Sequence, residues 1–278
     1  MRPRIGHIQY LNCLPLYYGL INNKALFHVD LVKGTPTELN RLFLDNKLDV
    51  SPISAIEYCL NAGRLMLLPD LTVSSDGEVK SILLICREPL KKLNGKKIAL
   101  TTNSATSRIL TKIIVKEKYN LDVKYIDAKP SLTEALKEAE AVLLIGDEAL
   151  KILYNPEGLL LYDLGREWKE LTGKKMVYAV WAVHREFAKT KPEVLQKIYS
   201  NFISSMLYSS KKLNKIAKEC AKWEIFDAEF LFDYFKSLHF EFGAAYQEGM
   251  KLFFEKAGKH GFIKKVPELV FAEVKRDD

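Results

Sequence analysis

Met176-Val177-Tyr178-Ala179-Val180-Trp181-Ala182-Val183-His184 is a run without glycine, proline or acid, built from the β-branched and aromatic residues that suit a pleated surface. It reads as a long strand leading out of a compact α/β unit that opens at Leu90-Lys91-Lys92-Leu93-Asn94-Gly95. Inside that unit the pattern predicts strands at 97–101, 123–126 and 141–145, a helix from the loop 102–107 to 118, and a second helix at 132–138. Upstream, a similar alternation predicts strands at 4–10, 28–33, 50–53 and 81–87, with crossovers at 14–21, 36–46 and 55–61. In 36–46, Leu39, Leu42 and Phe43 share one helix face, and Thr35 and Thr37 offer caps. Such alternation is the signature of βαβ units around mainly parallel sheets. Residues 192–261 read as helical and rich in Phe and Tyr. The order predicts an α/β protein of two lobes, the first discontinuous (1–86 plus 185–278) and the second inserted (87–184). Two crossing strands near Cys86 and Val183 then form a hinge, with a ligand cleft between the lobes. A continuous α/β domain with a helical tail is the alternative.

The 278 residues are 48% hydrophobic and 28% charged, enough apolar mass for two modest cores. Forty-two basic against 35 acidic side chains give a net charge of +7, but the lysines are scattered, with short runs such as Lys211-Lys212 and Lys264-Lys265. There is no Arg-rich tract or basic arm, so a small anionic ligand is expected and no nucleic acid. The basic stretch 211–222 reads as a solvated helix face, and no run approaches the ~20 apolar residues of a membrane span, so no stable membrane association is expected. Cys13, Cys59, Cys86 and Cys220 stand far apart, as reduced thiols of a cytoplasmic protein do. Met1-Arg2-Pro3-Arg4 runs straight into a strand without the apolar segment and cleavage site of an export signal, which also predicts a cytoplasmic location. A monomer or homodimer is expected.

Two segments place small polar side chains at the ends of strand-like runs, where α/β proteins hold ligands: Tyr10-Leu11-Asn12-Cys13-Leu14-Pro15, and 49–58 with Ser51 and Ser54. A third, Thr101-Thr102-Asn103-Ser104-Ala105-Thr106-Ser107, opens a helix with five hydroxyl residues in seven. N-capping accounts for one of them. Five, together with free backbone N–H groups, make a cradle for a carboxylate or phosphate, with Ser104, Thr106 and Ser107 its best donors. The loop lacks GxxxxGK[ST], which argues against a nucleoside triphosphate. Ser81 stands where the chain enters the first hinge strand. Asp147 follows the strand 141–145 beside Gly146, where capping of the next helix is the competing reading. The five histidines show neither HxH nor HExxH spacing, and no GxSxG, GxGxxG or Cys/His nucleophile motif occurs, so metal chemistry has no support. A cleft of Ser, Thr, Asn and backbone donors suits binding a polyanion and helping it react.

Six segments agree in order and spacing with one family: YLNCLP (10–15), DVSPISAIEY (49–58), LLPDLTVSSDGEVKSILL (67–84), TTNSATS (101–107), LLIGDEAL (143–150) and DLGREWKELTGKKMVYAVWAV (163–183). Up to about residue 186 the chain resembles the menaquinone-biosynthesis family of the futalosine pathway, in its chorismate dehydratase branch. Ala55 stands where the family often has serine, and Lys174-Lys175 where Leu-Pro is usual. The resemblance implies a type II periplasmic-binding-protein fold and the loss of water from chorismate, without a cofactor, to give 3-[(1-carboxyvinyl)oxy]benzoate. It places Asn12 and Ser81 as groups orienting the substrate and its reacting atoms. Ser104, Thr106 and Ser107, with Thr102 and Ala105 of the same loop, would cradle a carboxylate. Tyr10, Ser51, Ser54, Asp147, Tyr178 and Trp181 would form the cleft wall. None of the matching motifs carries a strong base, which leaves the substrate's own enolpyruvyl carboxylate to take the proton. A sister enzyme of the pathway, which makes a dihydroxynaphthoate, usually opens with a Ser-Pro-Cys-Pro-Asn-Asp-like segment where this chain has Tyr10-Leu11-Asn12. A non-catalytic solute receptor is the alternative from another class.

Overall fold

A computed structural model describes residues 2–22, 28–129 and 131–276. Two five-stranded sheets carry the fold. The first contains β1 (Arg4–Ile8), β2 (Asp30–Gly34), β3 (Val50–Ser54) and β4 (Leu65–Ser75). The second contains β6 (Lys97–Leu100), β7 (Lys124–Asp127), β8 (Ala141–Ile145) and β9 (Leu160–Asp163). Each sheet is completed by a strand from the other half of the chain. β5 (Ile82–Cys86) follows β4 in sequence yet pairs antiparallel with β8 and β9, and β10 (Met176–His184) returns to pair antiparallel with β3 and β4. The orders β2-β1-β3-β10-β4 and β7-β6-β8-β5-β9 are therefore equivalent, and in each the exchanged strand alone runs against the rest.

This exchange moves the expected lobe boundaries. The sequence reading puts them at 86/87 and 184/185, but the chain crosses between the sheets at 76–81 and again at 173–175, one strand earlier each time. Hydrogen bonding, not strand composition, decides sheet membership here: β5 and β10 are buried along nearly their whole length and would fill either centre. The crossings are braced. Asp163, at the N-cap of α7 (Leu164–Thr172), accepts from the backbone N–H groups of Val79 and Lys80 as well as from Gly165 and Arg166. Ser75 Oγ lies 2.9 Å from the Tyr178 hydroxyl, joining the two crossings.

Helices cover both sheets. α1 (Leu14–Asn22), α2 (Pro36–Leu44) and α3 (Ala55–Asn61) follow strands of the first sheet; α4 (Ala105–Glu117), α5 (Leu132–Glu138) and α6 (Gly146–Tyr154) follow strands of the second. α2 begins as its sequence requires, with a Thr35–Glu38 capping box and Pro36 in the first turn, and buries Leu39 and Phe43 completely. β4 is hidden in the sequence by Pro69-Asp70: Asp70 has a positive φ of 55°, and the β4–β10 register slips on either side of Val180. The C-terminal segment adds α8 (Arg185–Thr190), α9 (Pro192–Ser210), α10 (Leu213–Cys220), α11 (Ala228–Ser237) and α12 (Ala244–Lys259). α9 packs on α1, and α12 lies on β10 while reaching α4 of the second lobe through Glu117, which accepts from Lys256 and lies 2.9 Å from His260. All four cysteines are free and buried. Among the described residues no helix is long and apolar enough to cross a membrane.

Candidate active site

The carboxyl ends of β1, β3, β6 and β8 converge on a pocket between the two sheets, walled by Tyr10, Asn12, Ser54, Ser81, Ser104, Ser107, Gly146 and Tyr178 with apolar neighbours such as Ile8 and Val79. Among the described residues no Lys, Arg, His, Asp or Glu lines it. Helix N-termini take their place: Asn12 stands in the 3-10 turn that runs into α1, Pro36 begins α2, Ser54 precedes α3, Ser104 caps α4 and Ile145 precedes α6. Unpaired backbone N–H groups and helix dipoles there favour an anion without a formal positive charge.

Asn12 is aimed by its neighbours. Leu11 and Cys13 bury their side chains in the core, leaving Asn12 to face the pocket. Its Oδ1 is buried and has no hydrogen-bond partner, so the site holds an acceptor waiting for a donor. The Leu11 N–H donates across the cleft to Asp147 Oδ1 at 2.9 Å. One residue earlier, the Tyr10 ring lies against Gly146, whose φ is 64° and where a β-carbon would come within 2.8 Å of the ring. Gly146 N–H in turn donates to the Ser81 carbonyl at 2.8 Å. The Ser81 side chain, 2% exposed, lies 3.4 Å from the Val79 carbonyl, to which it donates.

Ser104 Oγ accepts from the Ser107 N–H at 3.2 Å and lies 2.9 Å from the Ser107 hydroxyl, the local geometry of an N-cap. Ser54 is held by a reciprocal pair of bonds with Asn40, at 3.1 and 3.2 Å. Asn40 is buried on the apolar face of α2 beside Leu39, and a polar residue in such a position was a readable sign that it serves a site.

Several expected wall residues lie elsewhere. Trp181 is completely buried against Phe202, and Ser51 is completely buried under Gly6. The reason is strand polarity: β10 runs antiparallel, so Tyr178 near its beginning meets the cleft and Trp181 does not, while on the parallel β3 the cleft takes Ser54 at the end and leaves Ser51 behind. Thr102 and Ala105 line a neighbouring groove with Arg41, Glu57, Arg108 and Asp127. Thr106 caps the other lobe, its Oγ1 accepting from the Ile56 N–H of α3 at 3.1 Å. The Leu11–Asp147 bond and the Thr37 hydroxyl donating to the Thr102 carbonyl at 2.8 Å likewise join the two lobes beside the pocket.

Burial dominates the electrostatics. It raises the Asp147 carboxyl to about 6, helped by Glu224 and opposed by the Leu11 N–H. It raises Tyr10 to about 12, with Asp147 adding to the effect. Tyr178 is likewise pushed well above the ordinary tyrosine value. The pocket therefore presents neutral hydroxyls and an amide to whatever it binds.

The model of the menaquinone biosynthesis family matches residues 3–259. A chorismate dehydratase of Thermus thermophilus is 34% identical over 202 residues, 67% of this chain and 72% of that protein. A 1,4-dihydroxy-6-naphtoate synthase of the same organism is 26% identical over 173 residues, 61% of each. A Candida albicans protein described as having the generic periplasmic binding protein structural fold superposes with a TM-score of 0.70 at 11% identity, over 100% of this chain and 97% of its own. The strand orders, the exchanged strands and the family match agree: this chain belongs to the menaquinone-biosynthesis family, on a type II periplasmic-binding-protein-like fold.

Proposed function

We propose that this chain is a cytoplasmic hydro-lyase that converts chorismate to 3-[(1-carboxyvinyl)oxy]benzoate and water. The observation that carries the reading is the unpartnered Asn12 Oδ1 in a pocket that, among the described residues, has no charged side chain in its lining. Chorismate as a dianion has one O–H, on C4, and many acceptor oxygens. It can therefore answer the one orphan acceptor and use the surrounding donors at the same time. Its two carboxylates suit the N-terminus of α4 with Ser104 and Ser107, and the remaining helix starts.

The chemistry asks little acid or base of the protein. The C3 proton is vinylogous to the ring carboxylate, and loss of the C4 hydroxyl leaves an aromatic ring. The enolpyruvyl carboxylate of the substrate takes the C3 proton, the electron pair passes into the ring carboxylate, and the C4–O bond breaks as the ring aromatises. The departing hydroxide takes up that proton and leaves as water, so atoms and charge balance. Donors at the α4 N-terminus stabilise the extra charge on the ring carboxylate. Asn12 and Ser81 hold the C4 hydroxyl and the ring in the geometry of elimination, and lobe closure excludes bulk water. The sister naphthoate-forming activity draws on a relative of lower identity. Incubating the purified protein with chorismate and following the substrate ion by mass spectrometry tests the reading: loss of one water is expected, and intact chorismate overturns it.

A further inference from the structure

The serine just before β5 is held in an unusual turn. Lys80 has a φ of 63°, in the left-handed region that a lysine rarely visits. The Ser81 N–H donates back to the Val79 carbonyl at 2.8 Å, which closes a three-residue γ-turn with Lys80 at its centre. With a positive central φ this is the rare and strained form of that turn. Strain of this kind persists only where the surroundings over-determine it, and it clusters at functional sites. Here the turn delivers Ser81, which lines the pocket.

One carboxylate over-determines it. β9 pairs with β5 and ends at Asp163, opposite Leu83, so the sheet itself brings the Asp163 side chain beside the turn. Asp163 Oδ2 accepts the Lys80 N–H at 2.6 Å, and both carboxylate oxygens lie 3.1 Å from the Val79 nitrogen. Oδ1 also accepts from the Gly165 and Arg166 N–H groups at 2.9 and 3.0 Å, as an N-cap does. Capping uses one oxygen, and the second serves the turn. The start of α7 approaches too closely for a side chain to intervene: a β-carbon at Gly165 would run into the Gly77 carbonyl and stand 2.7 Å from the Tyr178 hydroxyl.

We propose that Asp163 is the positioning residue of Ser81: by accepting the Val79 and Lys80 N–H groups together it holds Lys80 at positive φ, and that turn sets the direction in which the Ser81 hydroxyl meets the substrate. The inference rests on the dehydratase reading for what the hydroxyl meets, and on the hydrogen bonds alone for the turn. The other end of Ser81 is fixed as well, since its carbonyl accepts from the Gly146 N–H at 2.8 Å. The Ser81 side chain donates to the Val79 carbonyl at 3.4 Å, a bond at the outer limit of distance that a substrate oxygen can replace. Without the carboxylate, the Val79 and Lys80 N–H groups lose their acceptor, Lys80 relaxes to a negative φ, and the residue before β5 turns away from the pocket. Asp163 does not itself line the pocket, so it acts through Ser81.

The test combines Asp163→Ser, which keeps a capping oxygen but is too short to hold Lys80, with Lys80→Gly, which removes the steric cost of positive φ, and with Ser81→Ala. In steady-state kinetics on chorismate, Asp163→Ser is expected to lower kcat about tenfold with KM within about threefold, and its combination with Ser81→Ala to be no slower than Ser81→Ala alone. Adding Lys80→Gly to Asp163→Ser should recover at least about threefold in kcat, which loss of a structural cap alone would not allow. Wild-type kinetics for Asp163→Ser, losses that add to those of Ser81→Ala, or no recovery by glycine overturn the proposal. Should Asp163→Ser fail to fold, Asp163→Asn, which keeps the shape and the capping oxygen, carries the same expectations. If the wild-type protein leaves chorismate untouched, the functional reading falls and urea unfolding decides the turn. Lys80→Gly should then raise the unfolding midpoint when Asp163 is present and by less in Asp163→Ser, because only the carboxylate enforces the strain; equal shifts remove the proposal.

Discussion

Replacing Gly146 by alanine separates backbone cost from site geometry. The residue has a φ of 64°, where an L side chain costs about 1 kcal/mol. A β-carbon there would also stand 2.8 Å from Cγ and Cδ2 and 3.0 Å from Cδ1 of Tyr10, well inside contact distance, so the ring must move. Tyr10 cannot move freely, because Leu11 is tethered to Asp147 and Cys13 is completely buried. The displacement therefore reaches Asn12. Gly158 supplies the control: its φ is 77°, it is exposed, and a β-carbon there would meet nothing within 4 Å. Gly158→Ala should lose about 1 kcal/mol in urea unfolding and no activity. Gly146→Ala should lose a further 1–2 kcal/mol, roughly, from overpacking, and its kcat/KM on chorismate should fall about ten- to a hundredfold. If both variants show wild-type kinetics, the contact between Gly146 and Tyr10 does not position Asn12 and the reasoning fails.

Closure and titration give further tests. Thr106→Val strips the acceptor from the Ile56 N–H only in the closed form, at about 1–2 kcal/mol, so KM should rise roughly 5- to 30-fold with kcat nearly unchanged. A collapse of kcat at constant KM would contradict that assignment. The raised acid at Asp147 contributes stability that is complete below its ordinary value of 3.8 and is lost as pH rises through about 6, roughly 3 kcal/mol at most. Since asparagine does not titrate, the unfolding free energy of the wild type minus that of Asp147→Asn should fall between about pH 4 and 7, and a flat difference would remove Asp147 as the cause.

Much of this was readable in the residues because the chemistry is local. The uninterrupted apolar run 176–184 and the helix 132–138 fall where their composition puts them. Asn12, Ser54, Ser81, Ser104, Ser107 and Tyr178 do meet around one pocket. What stayed hidden depends on pairing between distant strands. Nothing in Ile82–Cys86 or Met176–His184 encodes which sheet receives it, so the crossings were expected one strand late. Ser51 and Trp181 were misplaced for the same reason, since strand direction decides which end meets the cleft.

The most direct measurement is a crystal structure determined after exposure to chorismate. The account predicts the dehydrated benzoate product between the two sheets, with one carboxylate on the N-terminus of α4 and Asn12 against the reacting edge of the ring, touched by no lysine or arginine. Unreacted chorismate, or a ligand seated instead in the groove of Arg41 and Arg108, would contradict it.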